Sequence, residues 1–337
     1  MIEFQSETRR VRTSEANPVG GRPDKPQPGR GEVLIRVHAA GVNPADFLAE
    51  DGEKSCVVKT KYPHGRGLCV SGIVVAKGAN VATHDLGSAV FGHVPKVGLD
   101  TCAEFVPVPA SHVREMPANT GFREAAGLPL VGSVVIQAFD RAGLRAGDHV
   151  LIHEGGGAVG SFAIQYAKFL GATVFTTTST ENADWVRGLG ADSVLDYQLV
   201  DYRDIVHDLD IVLDTLGGDA TFSAFDVIRT GGTVISLFGP VDDKAARRLG
   251  LNPLVRQVLW FKARELRRKA REKNARYRFI PMMPETRHLA TLRDLVETGR
   301  LRPVVDATGF VSSSATDALA YQEKGRAKGT IVVDFAG

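Results

Sequence analysis

The segment that most constrains this chain runs from His149 to Gly171, HVLIHEGGGAVGSFAIQYAKFLG. Val150, Leu151 and Ile152 make an apolar run the length of one buried strand. Gly155, Gly157 and Gly160 follow as G-x-G-x-x-G. Val159, Phe162, Ala163, Tyr166, Ala167 and Leu170 then recur at the i, i+3, i+4 spacing of one helix face. Gly171 stands where a helix C-cap glycine belongs. Strand, glycine turn and helix, in that order, are the context in which this motif signifies a dinucleotide site. The glycines let the backbone approach a pyrophosphate, and the helix N-terminus offers unpaired N–H groups at the positive end of its dipole. Gly155, Gly157, Ala158, Val159 and Gly160 are therefore expected to cradle the pyrophosphate. An ordinary glycine-rich turn shares the composition, but the flanking elements favour the cofactor reading.

From His149 onward, expected strands at Val150–His153, Thr173–Thr178, Ser193–Asp196, Asp210–Asp214 and Gly232–Phe238 alternate with helices at Val159–Leu170, Asn182–Leu189 and Ala220–Arg229. That alternation predicts a parallel, doubly wound sheet. Before it, Glu32–Ala40, Gly72–Ala76, Ser88–Phe91 and Glu104–Val108 read as short strands of a β-rich domain, and Gly121 to Phe139 as helical. After Pro240 an insertion, Val241 to Arg278, begins amphipathic and ends basic, with nine Lys or Arg against two Glu in Lys262–Arg278. A solvated helix extension is the expected role of this segment, or a lid on the cleft. Helices His288–Thr298 and Ser314–Glu323 and a strand Thr330–Phe335 close the chain.

At 337 residues there is room for two domains, since single cores stop growing at about 250–300 residues. The 41 basic and 39 acidic residues nearly cancel, so no global field argues for nucleic acid or a membrane surface. No apolar signal core or spanning run is present, and Cys56, Cys69 and Cys102 form no C-x-x-C pair. A cytoplasmic protein with no membrane contact is expected.

The cofactor and its chemistry follow from what surrounds the glycines. An NAD-type site places an Asp or Glu at the end of the second strand. Here that strand ends Thr176-Thr177-Thr178-Ser179-Thr180, which leaves room for the extra phosphate of NADPH. Glu181, the first acid after it, keeps NADH as the alternative. The nine histidines are scattered, and neither a Tyr-x-x-x-Lys pair nor a G-x-S-x-G elbow occurs. Hydride transfer to a simple ketone normally needs a Lewis acid or a proton donor. A quinone or enone spreads the developing charge, so this residue inventory favours a conjugated acceptor.

Several further stretches together resemble the medium-chain dehydrogenase/reductase superfamily, specifically its zinc-free quinone oxidoreductase (zeta-crystallin-like) branch. They are GEVLIRVHAAGVNPADF (Gly31–Phe47), PHGRGLCVSGIV (Pro63–Val74), AEFVPVPASHV, GLPLVGSVVIQAF, LGADSVLDY, DIVLDTLGG, RTGGTVISLFG and AYQEKGRAKGTIVV. The resemblance implies an α/β chain in which a GroES-like β-barrel, built from both chain ends, wraps a Rossmann domain. The expected divisions are residues 1–125, 126–265 and 266–337. It also implies a homodimer, a small quinone or enone substrate and no metal, because Asn43, Leu68 and Cys69 stand where zinc-dependent relatives carry ligands. Asn43 and Asp46 become the candidate catalytic residues. Thr178, Ser179 and Tyr197 are expected around the adenosine ribose phosphate, with Phe238 and Gly239 flanking the nicotinamide. Departures from the branch pattern are Phe47, Cys69, Val134, Ala158, Glu181 and the pair Gly329-Thr330. An enoyl or 2-alkenal reductase, and a non-catalytic protein binding NADPH or nucleic acid on the same fold, are the rival readings.

Overall fold

The computed structural model describes residues 25–43, 67–94, 101–325 and 327–335. Asp46, Phe47 and Cys56 lie outside them. Strand β1 (Glu32–Val42) pairs antiparallel with β2 (Cys69–Lys77) on one side and with β4 (Phe105–Pro109) as well. β3 (Ala89–His93) and β5 (Val113–Glu115) extend the same sheet. At the opposite edge β13 (Ile331–Asp334) returns from the far end of the chain and joins β1 in the register Ala40↔Val333, with β12 (Phe310–Val311) beyond it. The two chain ends thus build one barrel-like sheet, as the resemblance implied. β1 lies at its centre because Val33, Ile35, Val37, Ala39 and Ala40 are all buried. A Cβ at Gly72 would overlap Arg36 O, so β1 and β2 approach this closely only because Gly72 has none.

The second sheet runs β11-β10-β9-β6-β7-β8. Its strands are β6 (His149–Ile152), β7 (Thr173–Thr178), β8 (Ser193–Asp196), β9 (Leu209–Asp214), β10 (Ile228–Ser236) and β11 (Arg276–Phe279). All the pairings are parallel. Counted from β6 as the first strand, the order is 3-2-1-4-5-6, with the topological switch point between β6 and β9. Val150 to Ile152 and Ile211 to Leu213 are buried on both faces of the sheet. That burial explains why they read as unbroken apolar runs rather than alternating ones.

The stretch from Gly121 to Phe139 is helical as expected, in two helices, α1 (Phe122–Ala126) and α2 (Pro129–Ala142). Pro129 lacks an N–H and suits the first turn of a helix but not its interior, so the chain restarts there. The apparent insertion Val241–Arg278 is not an insertion. It is the crossover of the last parallel unit, and it ends in β11, which pairs Val234↔Tyr277. The nucleotide-type sheet therefore extends to Phe279, past the division expected at residue 265.

Helix α2 joins the two halves. Twelve of its residues, from Pro129 to Phe139 and then Ala142, are buried. It packs against α3 (Ala158–Phe169) and against α9 (His288–Glu297). At the α9 crossing a Cβ on Gly132 would overlap the Leu292 side chain. At the next residue, Ser133 Oγ lies 2.9 Å from His288 Nδ1 and accepts the Glu285 N–H at 2.6 Å. Ser133 is thereby committed to holding the 282–288 loop. Gly132→Val should overpack this crossing and cost about 2 kcal/mol, read as a lower urea midpoint with an unchanged slope.

Candidate functional site

The carboxyl ends of β6, β7 and β9 open on one cleft of about 820 Å³. Its walls include His153, Glu154, Gly156, Gly157, Thr178 and Ser179, with Tyr197 and Lys328 at the rim. The three motif glycines are needed for different reasons. At Gly155 a Cβ would overlap Thr176 Oγ1, and at Gly160 it would overlap Glu154 O. Those two let α3 sit against the turn that precedes it. At Gly157 a Cβ would meet nothing closer than 3.4 Å. Internal packing therefore does not demand Gly157, which faces the cleft.

Helix α3 begins at Ala158 with Gly157 as its N-cap and no side chain capping it. A helix leaves its first N–H groups without intrahelical partners. Here Ala158, Val159 and Gly160 carry them, at the positive end of a 12-residue helix. The C-terminal segment closes in beside them: Gly329 N donates to Gly156 O at 3.1 Å, and Gly329 bridges Gly157. This contact brings Lys328 to the cleft, where it is the one Lys or Arg among the described lining residues.

The second strand supplies hydroxyls. Thr176 Oγ1 donates to Ile152 O at 2.7 Å, and Thr177 Oγ1 accepts the Glu154 N–H at 3.3 Å, so both support the turn. Thr178, Ser179, Glu181, Asn182 and Tyr197 line the cleft. Asn182 Nδ2 donates to Ser179 Oγ at 3.3 Å, while its buried Oδ1 has no hydrogen-bond partner. An unpaired buried acceptor beside an open cleft is suited to a ligand hydroxyl.

Two carboxylates stand at the switch point. Glu154, in the left-handed region at φ 53°, is open to the cleft but crowded on its other sides. That crowding pushes its carboxyl pKa up, against the Thr215 Oγ1 hydrogen bond at 2.5 Å and the nearby His153 ring. Asp214, at the end of β9, is fully buried. It accepts the Leu216 and Gly217 N–H groups, each at 3.0 Å, and the hydroxyls of Thr221 at 2.5 Å and Ser236 at 2.6 Å. His153 Nδ1 lies 3.5 Å away. Burial alone would raise the Asp214 pKa; the His153 ring and the two hydroxyls reverse that and hold it at about 2.

The structure gathers Gly157, Thr178, Ser179 and Tyr197 on the cleft, with Ala158, Val159 and Gly160 at the helix start facing the same turn. Phe238 and Gly239 lie one strand over. Phe238 abuts Gly217, and Gly239 N donates to Ser236 Oγ at 2.7 Å. Asn43 is apart from the cleft walls, buried in the barrel sheet, with Nδ2 donating to Gly41 O at 3.3 Å and lying 3.9 Å from Cys69 Sγ. Glu154, Asn182, Asp214 and Lys328 are the residues that sequence reasoning missed. For Asp214 a signal existed, an acid ending the apolar run Ile211-Val212-Leu213. For Lys328 none did, because only the fold brings residue 328 to the glycine turn.

Residues 29–122 match the family model of the alcohol dehydrogenase GroES-like domain, and residues 189–333 match that of a zinc-binding dehydrogenase. The chain is 32% identical to an Arabidopsis thaliana chloroplastic NADPH-dependent alkenal/one oxidoreductase, over 90% of this chain and 72% of the relative. It is 31% identical to a mitochondrial NAD(P)H oxidoreductase of Mus musculus, over 90% and 81% of the two. The quinone oxidoreductase structure from Coxiella burnetii superposes with a TM-score of 0.78 at 30% identity, covering 92% of each chain. The chain belongs to the medium-chain dehydrogenase/reductase superfamily, among NAD(P)H-dependent oxidoreductases.

The side chains present do not fit a zinc ion. Asn43, Leu68 and Cys69, all buried, stand at the ligand positions implied by the resemblance. An amide and a hydrocarbon in two of those places do not make a zinc donor set. Among the described residues no group of three or more His, Cys, Asp or Glu is placed to hold a metal ion.

The low Asp214 pKa fixes the sign of a stability change. Its folded value lies below the ordinary ~3.9, so the charged form contributes fully above about pH 4 and the contribution is lost as pH falls from there toward 2. Asp214→Asn should cost about 2 kcal/mol at neutral pH and flatten that acid limb, measured by urea unfolding from neutral to acidic pH.

Proposed function

We propose that this chain reduces a conjugated carbonyl compound, a quinone or an α,β-unsaturated ketone or aldehyde, with NADPH and without zinc. The observation that carries the reading is the uncapped start of α3, which opens with Gly157 onto the same cleft as Lys328. An anionic diphosphate suits that combination of free N–H groups and one cation. Gly155, Gly157, Ala158, Val159 and Gly160 would hold the diphosphate, and Asn182 Oδ1 would accept a ribose hydroxyl. Thr178, Ser179 and Tyr197 would face the 2′-phosphate, and Phe238-Gly239 would flank the ring.

The bound dinucleotide supplies hydride. The protein contributes binding, orientation and a cleft whose floor is fixed by Asp214. A conjugated acceptor spreads the charge that hydride delivers, so Asn43 and Asp46, assigned to the substrate side by family position, are asked only to orient and hydrogen-bond it. The proton then comes from water. A homodimer and a cytoplasmic location belong to the same proposal. Among the described residues no helix is long and apolar enough to cross a membrane, and the two curated relatives named above are organellar.

Turnover with a panel of quinones and enones, followed by loss of reduced-nicotinamide absorbance, tests the reaction. Activity confined to enones would favour the enoyl or 2-alkenal reductase reading, which the alkenal/one oxidoreductase relative supports. Cofactor binding with no turnover on any acceptor would overturn the enzymatic reading. Tighter binding of NADH than NADPH would overturn the choice of cofactor and move Glu181 to the ribose diol.

Two variants test the cleft itself by fluorescence titration. Lys328→Ala should weaken NADPH about five- to tenfold, the worth of one charge-assisted contact at a partly exposed site. Glu154 should make affinity pH-dependent. Its carboxyl is neutral below its raised pKa and charged above it, and a charge there repels the diphosphate. Affinity should therefore fall as pH rises above the ordinary carboxylate range, and Glu154→Gln should remove the slope. Among the described residues His153 and Asp214 act on that carboxyl, and Glu181, Lys328, Tyr197 and Tyr202 line the same cleft.

A further inference from the structure

The crossover between β10 and β11 carries a surface that the cleft does not use. It consists of α6 (Asp243–Arg248), α7 (Pro253–Lys262) and α8 (Arg264–Glu272). None of the residues of α7 is buried, although Leu254, Val255, Val258, Leu259, Trp260 and Phe261 are apolar. Leu254, Val258 and Phe261, at i, i+4 and i+7, are 75%, 55% and 58% exposed. They form one apolar stripe that no described part of the chain covers. The opposite face of α7, with Arg256 and Leu259, lines a cavity of about 380 Å³ between these helices and the sheet edge. The stripe therefore points away from the molecule.

Helix α8 continues the same spacing with different chemistry. Arg264 and Arg268 stand at i and i+4 and are exposed, while Leu266 on the opposite face is buried and Arg271, a turn further on, borders the cavity. Both inner faces line the one cavity, so both outer stripes turn away from it. Residues 262–273 hold seven Lys or Arg and two Glu. The Arg267 guanidinium lies 3.6 Å from the centre of the Trp260 ring, fastening the start of α8 to the end of α7.

We propose that α7 and α8 form a peripheral docking surface for an anionic lipid bilayer. Leu254, Val258 and Phe261 enter the boundary between headgroups and acyl chains, and Arg264 and Arg268 lie on the anionic headgroups. The charge pattern chooses this occupant. A symmetric contact with a second copy would set the arginine stripe against itself, because a two-fold interface uses the same patch on both subunits. A nucleic acid would satisfy the arginines but offers no apolar phase to the Leu–Val–Phe stripe. An anionic bilayer supplies the apolar layer and the charge together, as interfacial amphipathic helices require.

Co-sedimentation of the full chain with vesicles tests this. One preparation is phosphatidylcholine alone, the other phosphatidylcholine with phosphatidylglycerol, each at low and high salt. Binding is expected to the anionic vesicles only, and to weaken with salt. Arg264→Gln with Arg268→Gln should lower the partition coefficient about 25-fold, at about fivefold per neutralised charge. Leu254→Ser, Val258→Ser and Phe261→Ser combined should abolish sedimentation. These side chains are exposed, so thermal melting unchanged by the substitutions verifies that the fold persists. Four results would overturn the proposal: no wild-type binding to anionic vesicles at low salt; a triple serine variant that still sediments; a dimer in analytical ultracentrifugation that the triple variant loses; and binding to single- or double-stranded DNA that the triple variant retains while vesicle binding is absent.

Discussion

One buried carboxylate holds together the part of this molecule that faces ligand. Asp214 ends β9 and receives two backbone N–H groups and two hydroxyls, which come from the turn after β9, from helix α5 (Gly218–Val227) and from the end of β10. Removing a charge from water is costly unless its lone pairs are satisfied, and here four donors satisfy them. In return the carboxylate fixes where the loops at the switch point stand. Ser236 passes the constraint on by accepting the Gly239 N–H, so the Phe238-Gly239 corner is tied to the same group. Gly217, whose φ of 72° brings it against Phe238, permits that approach.

The glycine turn at β6 depends on the same neighbourhood. Gly155 and Gly160 let helix and turn touch, and of the three motif glycines Gly157 is left to face the cleft. The turn carries an acid where it meets β9, and Glu154 and Thr215 join the two strand ends across the switch point. A diphosphate there would meet free N–H groups and Lys328 on one side and a carboxyl on the other. The protonation of Glu154 is then part of the binding equilibrium rather than a bystander to it.

Much of this was legible in the sequence. The strand ends Thr178 and Asp196 coincide with the expected ones, because apolar runs bounded by glycine or polar residues leave little freedom in a parallel sheet. Strand β11 was not legible. Arg276-Tyr277-Arg278-Phe279 alternates as a strand should, but it lies inside a run of Lys and Arg, and only its pairing with β10 distinguishes it from a solvated helix. The break between α1 and α2 falls at Pro129, whose missing N–H suits the first turn of a helix. The near-zero total charge likewise concealed a local segregation, since the arginines of α8 are balanced by acids elsewhere in the chain.

The sequence by itself determined the doubly wound sheet, the glycine turn and the hydroxyl-rich end of β7. Those features depend on residues close together in the chain, whose spacing and backbone freedom are fixed locally. It also placed the chain in its family. Only the tertiary structure decided that Lys328 stands beside the glycine turn, that Asp214 is shared by β9, β10 and α5, and that Ser133 serves the 282–288 loop and not the cleft. Each of these contacts joins residues far apart in sequence. Their energies come from burial and from hydrogen bonds that exist only once the two sheets and the returning C-terminal strand have closed on one another.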